Sequence, residues 1–216
     1  MDLMKKRWLI LIASCFVTLC VGSLYAWSVF ASPMSAYLSE LSGKEIASLA
    51  IVFTVANSVG PITMIGGGFV NDRIGPKWVL VAAGVLFGLG MIGSGFATSV
   101  PMLILTYGLG VGLGCGMAYG TIVSNAVKFF PDKSGLAGGL TTACYGGSSI
   151  IIPIIASAML RTMHVTTAFR ILGAVMGLII IASAFVIEAA PAGFTAGMKV
   201  SSNAQAPSND VDWRGM

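Results

Sequence analysis

Apolar residues gather in six long blocks along the chain, separated by short polar stretches. The blocks cover residues 8–30, 48–70, 79–97, 101–127, 136–160 and 169–187. Each is close to the roughly 20 residues that carry a helix across a bilayer. Helix is the only conformation open to them, because backbone N–H and C=O groups in hydrocarbon must be satisfied within the segment. The glycines and prolines inside the blocks would be costly in a soluble helix but are common in membrane helices. The pattern predicts an all-α membrane protein with six transmembrane helices over residues 1–190. Residues 191–216, rich in Ala, Ser, Pro and Asn, read as a cytoplasmic linker or tail.

Composition points the same way. Hydrophobic residues make up 56% of the chain and charged ones 9%, against about 25% charge in a soluble domain. Mean hydropathy is +0.91, so lipid is the fitting solvent. The basic start Lys5-Lys6-Arg7 leads into an apolar run long enough to span and too long for the core of a cleavable signal. Alternating the spans puts Lys5, Lys6, Arg7, Arg73, Lys77, Lys128, Lys133, Lys199 and Arg214 on one side, and Lys44, Arg161 and Arg170 on the other. The positive-inside rule then predicts a multi-pass protein of the plasma (inner) membrane with both termini in the cytoplasm. The net charge of +4 reflects this bias and gives no reason to expect nucleic acid as a partner. Cys15, Cys20, Cys115 and Cys144 lie inside apolar blocks without a CxxC pair. They read as small buried hydrophobes, with metal ligation or disulfides as the alternative.

The sharpest motif is the loop Gly68-Phe69-Val70-Asn71-Asp72-Arg73-Ile74-Gly75-Pro76-Lys77, between spans 2 and 3. Gly68 would let helix ends approach, and Gly75 permits a tight reversal. Asp72 suits a helix N-terminus or a nearby cation. Arg73 and Lys77 would hold the loop at the cytoplasmic side. An ordinary basic turn is the plain alternative. In spacing and position the loop resembles the signature loop of the major facilitator superfamily. That resemblance implies that the loop steadies one conformation of a transport cycle. Trp78 stands where a second basic residue is usual.

Further stretches narrow the resemblance. They are Gly22-Ser23-Leu24-Tyr25-Ala26-Trp27-Ser28 in span 1, Tyr119-Gly120 and Asn125 in span 4, Phe129-Phe130-Pro131-Asp132-Lys133-Ser134-Gly135-Leu136-Ala137 after it, and Tyr145-Gly146 in span 5. Together they look like the oxalate/formate antiporter family, a branch near the monocarboxylate transporters. The resemblance implies that Tyr25, Tyr119 and Tyr145 line a substrate site for a small organic anion. It also implies twelve spans, arranged as inverted three-helix repeats, and so a chain that matches the first half of a carrier. A second six-helix half, from another chain or a second copy, becomes the expected partner alongside the lipid bilayer. Leu24 and Ser134 depart from the family pattern, where a polar and a basic side chain are expected.

Spacing adds detail. Gly108, Gly112, Gly116 and Gly120 recur every four residues and form one smooth stripe on span 4. This suits close helix packing or, alternatively, a surface on which helices slide. Thr141, Thr142, Tyr145, Ser148 and Ser149 share one face of span 5, and Thr54, Asn57 and Ser58 form a shorter polar stripe on span 2. Thr54, Asn57, Thr142 and Ser149 are expected to line a cavity, with interhelical hydrogen bonding as the alternative. Tyr25 and Trp27 lie about 200° apart around a helix, so only one of them can face such a cavity squarely.

Absences matter too. No Asp, Glu, Lys, Arg or His sits deep inside a block, which argues against a proton relay in this half. The single His164 lies in a loop, so an intramembrane serine–histidine dyad cannot be built and an enzyme is not expected. No metal or cofactor motif is present. The expectation is secondary active exchange of a mono- or dicarboxylate by alternating access. The alternatives are a non-transporting truncated fragment and a membrane assembly or regulatory subunit.

Overall fold

A computed structural model describes residues 3–191, without the side chains of residues 3, 4 and 72. The proposed linker 191–216 lies outside the described residues beyond Pro191. The described chain is helical throughout its ordered elements. α1 (Leu3–Val21) runs through a tight 3-10 turn (Gly22–Ala26) into α2 (Trp27–Ser42). Then come α3 (Ala50–Ile74) and α4 (Pro76–Ser94). The short α5 (Val100–Leu103) opens into a wide π-helical turn (Ile104–Val111) and α6 (Gly112–Phe129). α7 (Ser134–Leu160) and α8 (Val165–Val186) complete the described elements.

Six of these rods are long and apolar enough to cross a membrane: Lys5–Ser42, Ala50–Asn71, Pro76–Ser94, Val100–Phe129, Ser134–Leu160 and Val165–Val186. They are spans 1 to 6 below. The largest difference from the sequence reading is span 1, expected to end at residue 30. Its helix continues to Ser42, 38 residues in all, or about 57 Å at 1.5 Å per residue. That is far more than the roughly 30 Å hydrocarbon core, so α2 projects beyond it. The extension survives its lower hydropathy because Phe30, Met34 and Leu38 are buried on one face. It stops at Gly43, whose φ of 65° lies in the left-handed region that favours glycine. The following loop folds back onto α2 through the Ser35 hydroxyl, which donates to the Ile46 carbonyl, and the Ser39 hydroxyl, which accepts from the Ile46 N–H at 2.9 Å.

Packing follows the two-repeat plan. Span 1 lies on span 5, span 2 on span 4, and span 3 on span 6. If spans 1–3 and 4–6 are related by a pseudo-two-fold, exchanging 1 with 4, 2 with 5 and 3 with 6 maps the first pair onto the second. The third pair maps onto itself. The observed pairing is therefore what an inverted repeat demands.

Glycines carry these contacts, because in lipid close backbone approach replaces the hydrophobic effect as the packing force. A Cβ on Gly88 would stand 3.2 Å from both the Gly173 carbonyl and the Gly177 Cα, where span 3 meets span 6. A Cβ on Gly110 would stand 2.9 Å from the Gly90 Cα, where span 4 meets span 3. The four-spaced stripe faces span 2. From a Cβ at Gly112 it is 2.6 Å to the Ala56 carbonyl, at Gly116 2.1 Å to the Gly60 carbonyl, and at Gly120 2.8 Å to Met64 Cγ. At Gly108 the neighbour is Val55 Cγ1 at 3.0 Å.

Candidate functional site

The 3-10 turn in span 1 decides where Tyr25 and Trp27 go. Tyr25 lies within it and remains 41% exposed, while Trp27 opens α2 at 5% exposure. Trp27 packs behind the turn, its ring 4.5 Å from that of Tyr107. Tyr25 points the other way and meets Tyr145 of span 5 edge to face, with ring centroids 5.6 Å apart. Tyr119 of span 4 lies 4.6 Å from the same Tyr145 ring. The three tyrosines singled out in the sequence are therefore one contiguous cluster contributed by three spans.

The cluster walls a cavity of about 260 Å³ between spans 1, 2, 4 and 5. Span 2 adds Ala56, Asn57, Gly60, Pro61 and Met64. Pro61 brings no N–H to the carbonyl four residues earlier, so the Asn57 carbonyl lacks its usual helical donor. The Asn57 side-chain amide donates to the Phe53 carbonyl at 3.0 Å. The Tyr119 hydroxyl pairs with Thr142 Oγ1 at 3.4 Å, and the Tyr145 hydroxyl with Cys115 Sγ at 3.7 Å. A cavity framed by phenols and one amide can offer several hydrogen bonds while its rings keep bulk water away.

Cys115 is the cavity residue that the sequence reading left among inert cysteines. It lies one helical turn before Tyr119, and that four-residue spacing was the available signal. Leu24 and Met64 also contribute to the wall.

Of the four polar residues expected at a cavity, Asn57 reaches this wall. Thr54, Thr142 and Ser149 are exposed along the flanks of spans 2 and 5. Thr54 bonds back to the Ala50 carbonyl at 3.0 Å, and Ser149 to the Gly146 carbonyl at 2.7 Å. The span 5 stripe is split rather than shared. Thr141 and Ser148 are buried and bonded to their own helix, while Thr142 and Ser149 stay open. The physical reason is that adjacent residues sit about 100° apart on a helix, so a five-residue face cannot all meet one cavity.

The loop between spans 2 and 3 turns at Gly75, whose φ of 83° needs glycine. Its N–H closes on the Asn71 carbonyl at 2.9 Å, and Pro76 starts α4. Close approach occurs one residue away from where it was expected. A Cβ on Gly67 would lie 3.4 Å from Met117 Cα, whereas no described heavy atom lies within 4 Å at Gly68. The ridge that meets span 4 runs through position 67. Arg73 is exposed, and the Lys77 ammonium sits 4.6 Å from the centre of the Phe185 ring at the end of span 6. The backbone of residue 72 lies in the last turn of α3 (Ala50–Ile74), but the Asp72 side chain lies outside those described.

The same end of the bundle holds a second cluster. Arg7 of span 1 donates to Asp132 Oδ1 of the loop between spans 4 and 5 at 2.8 Å, with its guanidinium 4.7 Å from the Phe130 ring centre. Lys6 pairs with Glu188 at 2.6 Å, and the Asn125 amide donates to the Glu188 carbonyl at 2.9 Å. At the opposite end, Arg170 donates twice to the Gly95 carbonyl, at 2.9 and 2.8 Å. The described basic residues thus divide between the two ends as the sequence count predicted, while Lys199 and Arg214 lie outside the described residues.

Comparison with known proteins completes the description. The family model described as Major Facilitator Superfamily matches residues 3–209. The chain belongs to the major facilitator superfamily. The oxalate:formate antiporter of Oxalobacter formigenes is 35% identical over 188 residues, 86% of this chain and 44% of that protein. An MFS-type transporter of Escherichia coli K12, YhjX, is 32% identical over 187 residues, 87% of this chain and 46% of that protein. Monocarboxylate transporter 9 of Gallus gallus is 33% identical over 146 residues, 66% of this chain and 27% of that protein. The chain thus spans less than half the length of these relatives. Membership makes it a multi-pass membrane protein of a transporter family, with six spans matching one half of the superfamily's bundle. It gives no support to an enzymatic role.

Proposed function

We propose that this chain forms the amino-terminal half of a carrier that exchanges small organic anions, mono- or dicarboxylates such as oxalate and formate, by alternating access. The observation that carries the reading is the convergence of Tyr25, Tyr119 and Tyr145 on one cavity. Phenolic hydroxyls donate to a carboxylate and leave no competing negative charge. The similarity to the oxalate:formate antiporter supports the same substrate class. The loop Gly68, Asp72, Arg73, Gly75 and Lys77 acts as the conformational element, and the Gly108, Gly112, Gly116 and Gly120 stripe as the surface along which spans 2 and 4 move. Thr54, Thr142 and Ser149 flank the anion's route. No Asp, Glu, Lys, Arg or His lies deep in the described spans, and an anion at the bilayer midplane is costly without a cation. A second six-helix half therefore supplies the positive charge and covers the exposed flanks of spans 2 and 5.

Binding of labelled oxalate, formate and lactate to the purified chain reconstituted with a second six-helix half checks the reading. Saturable binding of at least one is expected. Tyr25→Phe should weaken it about tenfold, since a hydrogen bond to a charged group contributes about 1.5 kcal/mol or more. Failure of all three anions to bind, or an unchanged affinity in the variant, would overturn it. Vesicle exchange is expected only when a second half is supplied.

Both termini face the cytoplasm in this reading, which rests on the excess of Lys and Arg at one end of the bundle. Single cysteines at positions 73 and 164, placed in a cysteine-free background, test it. An impermeant maleimide added outside intact cells is expected to label 164 alone. Labelling of 73 alone would invert the orientation.

A further inference from the structure

Spans 1 and 4 both abandon the α-helix, and a side-chain hydrogen bond joins the two breaks. The 3-10 turn Gly22–Ala26 carries Tyr25, and the π turn Ile104–Val111 carries Tyr107, whose side chain reaches it. Such interruptions are uncommon and recur at functional hinges. Two side chains of span 4 reach across to the break. The buried Tyr107 hydroxyl, inside the π turn, donates to the Leu24 carbonyl at 3.3 Å. The Leu24 carbonyl also accepts the Trp27 N–H in the tight three-residue pattern, so its second lone pair serves Tyr107. Two turns along span 4, the Cys115 thiol donates to the Val21 carbonyl at 3.6 Å, the last residue before the break.

A thiol carries one proton. With Cys115 S–H given to Val21, the contact to Tyr145 at 3.7 Å leaves the Tyr145 hydroxyl as donor and the sulfur as acceptor. Span 5 closes on the same turn. A Cβ at Gly22 would lie 2.4 Å from the Tyr145 carbonyl. The break is thus held at its start by Cys115, near its end by Tyr107, and on its flank by the Tyr145 backbone.

From this geometry we infer that Tyr107 and Cys115 are positioning residues, a clamp from span 4 that fixes the break in span 1 and thereby aims Tyr25 into the cavity. Neither hydroxyl nor thiol needs to touch the anion. Tyr107 is fully buried behind the turn and does not line the cavity. Cys115 lines it, but its proton is committed to the Val21 backbone. The inference rests on the reading of Tyr25 as a cavity ligand. Its experiment needs no anion, so the two can fail separately.

The test is fluorine NMR of the full chain carrying 3-fluorotyrosine at its five tyrosines, assigned by single Tyr→Phe changes. Tyr107→Phe keeps the ring and removes only the donor. It is expected to displace or split the Tyr25 resonance by more than a linewidth. Cys115→Ala should displace both the Tyr145 and Tyr25 resonances, and Cys115→Ser, which keeps a donor, should return them toward their original positions. Tyr37→Phe, at the outer end beside His164, should leave Tyr25 unmoved. A Tyr25 resonance unmoved by Tyr107→Phe and Cys115→Ala in folded protein would overturn the clamp. So would equal displacement by Cys115→Ala and Cys115→Ser. If Tyr107→Phe does not fold, the two Cys115 variants decide. Adding formate to the wild type reconstituted with a second six-helix half reads the functional proposal separately, through a shift of the Tyr25 resonance.

Discussion

Replacing Gly116 with alanine is expected to lower the thermal unfolding midpoint by several degrees and to impair any movement between spans 2 and 4. An alanine Cβ would stand 2.1 Å from the Gly60 carbonyl oxygen and 2.3 Å from Thr63 Oγ1. Thr63 already donates across the interface to the Leu113 carbonyl at 3.1 Å. Neither neighbour can step aside: one is backbone, and the other is a β-branched side chain with few rotamers. The helices must separate, at a cost of roughly 1–3 kcal/mol or more for an overpacked interface. Gly139→Ala is the control, because no described heavy atom lies within 4 Å of a Cβ there. Alanine is about 1 kcal/mol better than glycine inside a helix, so that variant should melt at or above the wild-type midpoint. Equal midpoints for Gly116→Ala and wild type would show that the stripe is looser than described.

Breaking the Arg7–Asp132 pair is expected to have the next largest effect. The Arg7 side chain is 6% exposed and that of Asp132 21%. Removing one partner strands a poorly hydrated charge, and for buried pairs this costs about 3 kcal/mol. Asp132→Leu, which strands the buried Arg7, should destabilise strongly by thermal unfolding in detergent, and Arg7→Met less, because Asp132 is reached by water. The double variant should recover most of the loss, because no orphaned charge remains. Strict additivity of the two single effects would show that the pair does not couple span 1 to the loop between spans 4 and 5. Lys6–Glu188 makes a useful contrast. Glu188 is 59% exposed, and an exposed pair contributes little, so Lys6→Met should barely shift the midpoint.

Much of the architecture was legible in the sequence for one reason. Lipid forces each apolar block to satisfy its own backbone, so length and hydropathy alone name the helices. Six spans, the motif between spans 2 and 3, and the separation of basic residues needed no tertiary information. The Gly108, Gly112, Gly116 and Gly120 stripe was equally readable, since four-residue spacing places residues on one face whatever the neighbour. The neighbour was not readable: only the fold shows that this stripe meets span 2 while Gly110 and Gly114 meet span 3.

Other features lie beyond periodicity. Hydropathy ended span 1 at residue 30, yet the helix continues to Ser42 because three large side chains find a buried face. Periodicity put Thr141 and Thr142 together, and packing buried one and exposed the other. The sequence by itself determined the membrane class and the number of spans, and its resemblance to the oxalate/formate antiporter family supplied the three tyrosines as candidates. Only the tertiary structure decided that they converge, that Cys115 joins them, and that Tyr107 of the π turn bonds the 3-10 turn of span 1. Helix breaks depend on which neighbour can accept or donate to the displaced backbone groups, and those neighbours lie more than eighty residues away in the chain.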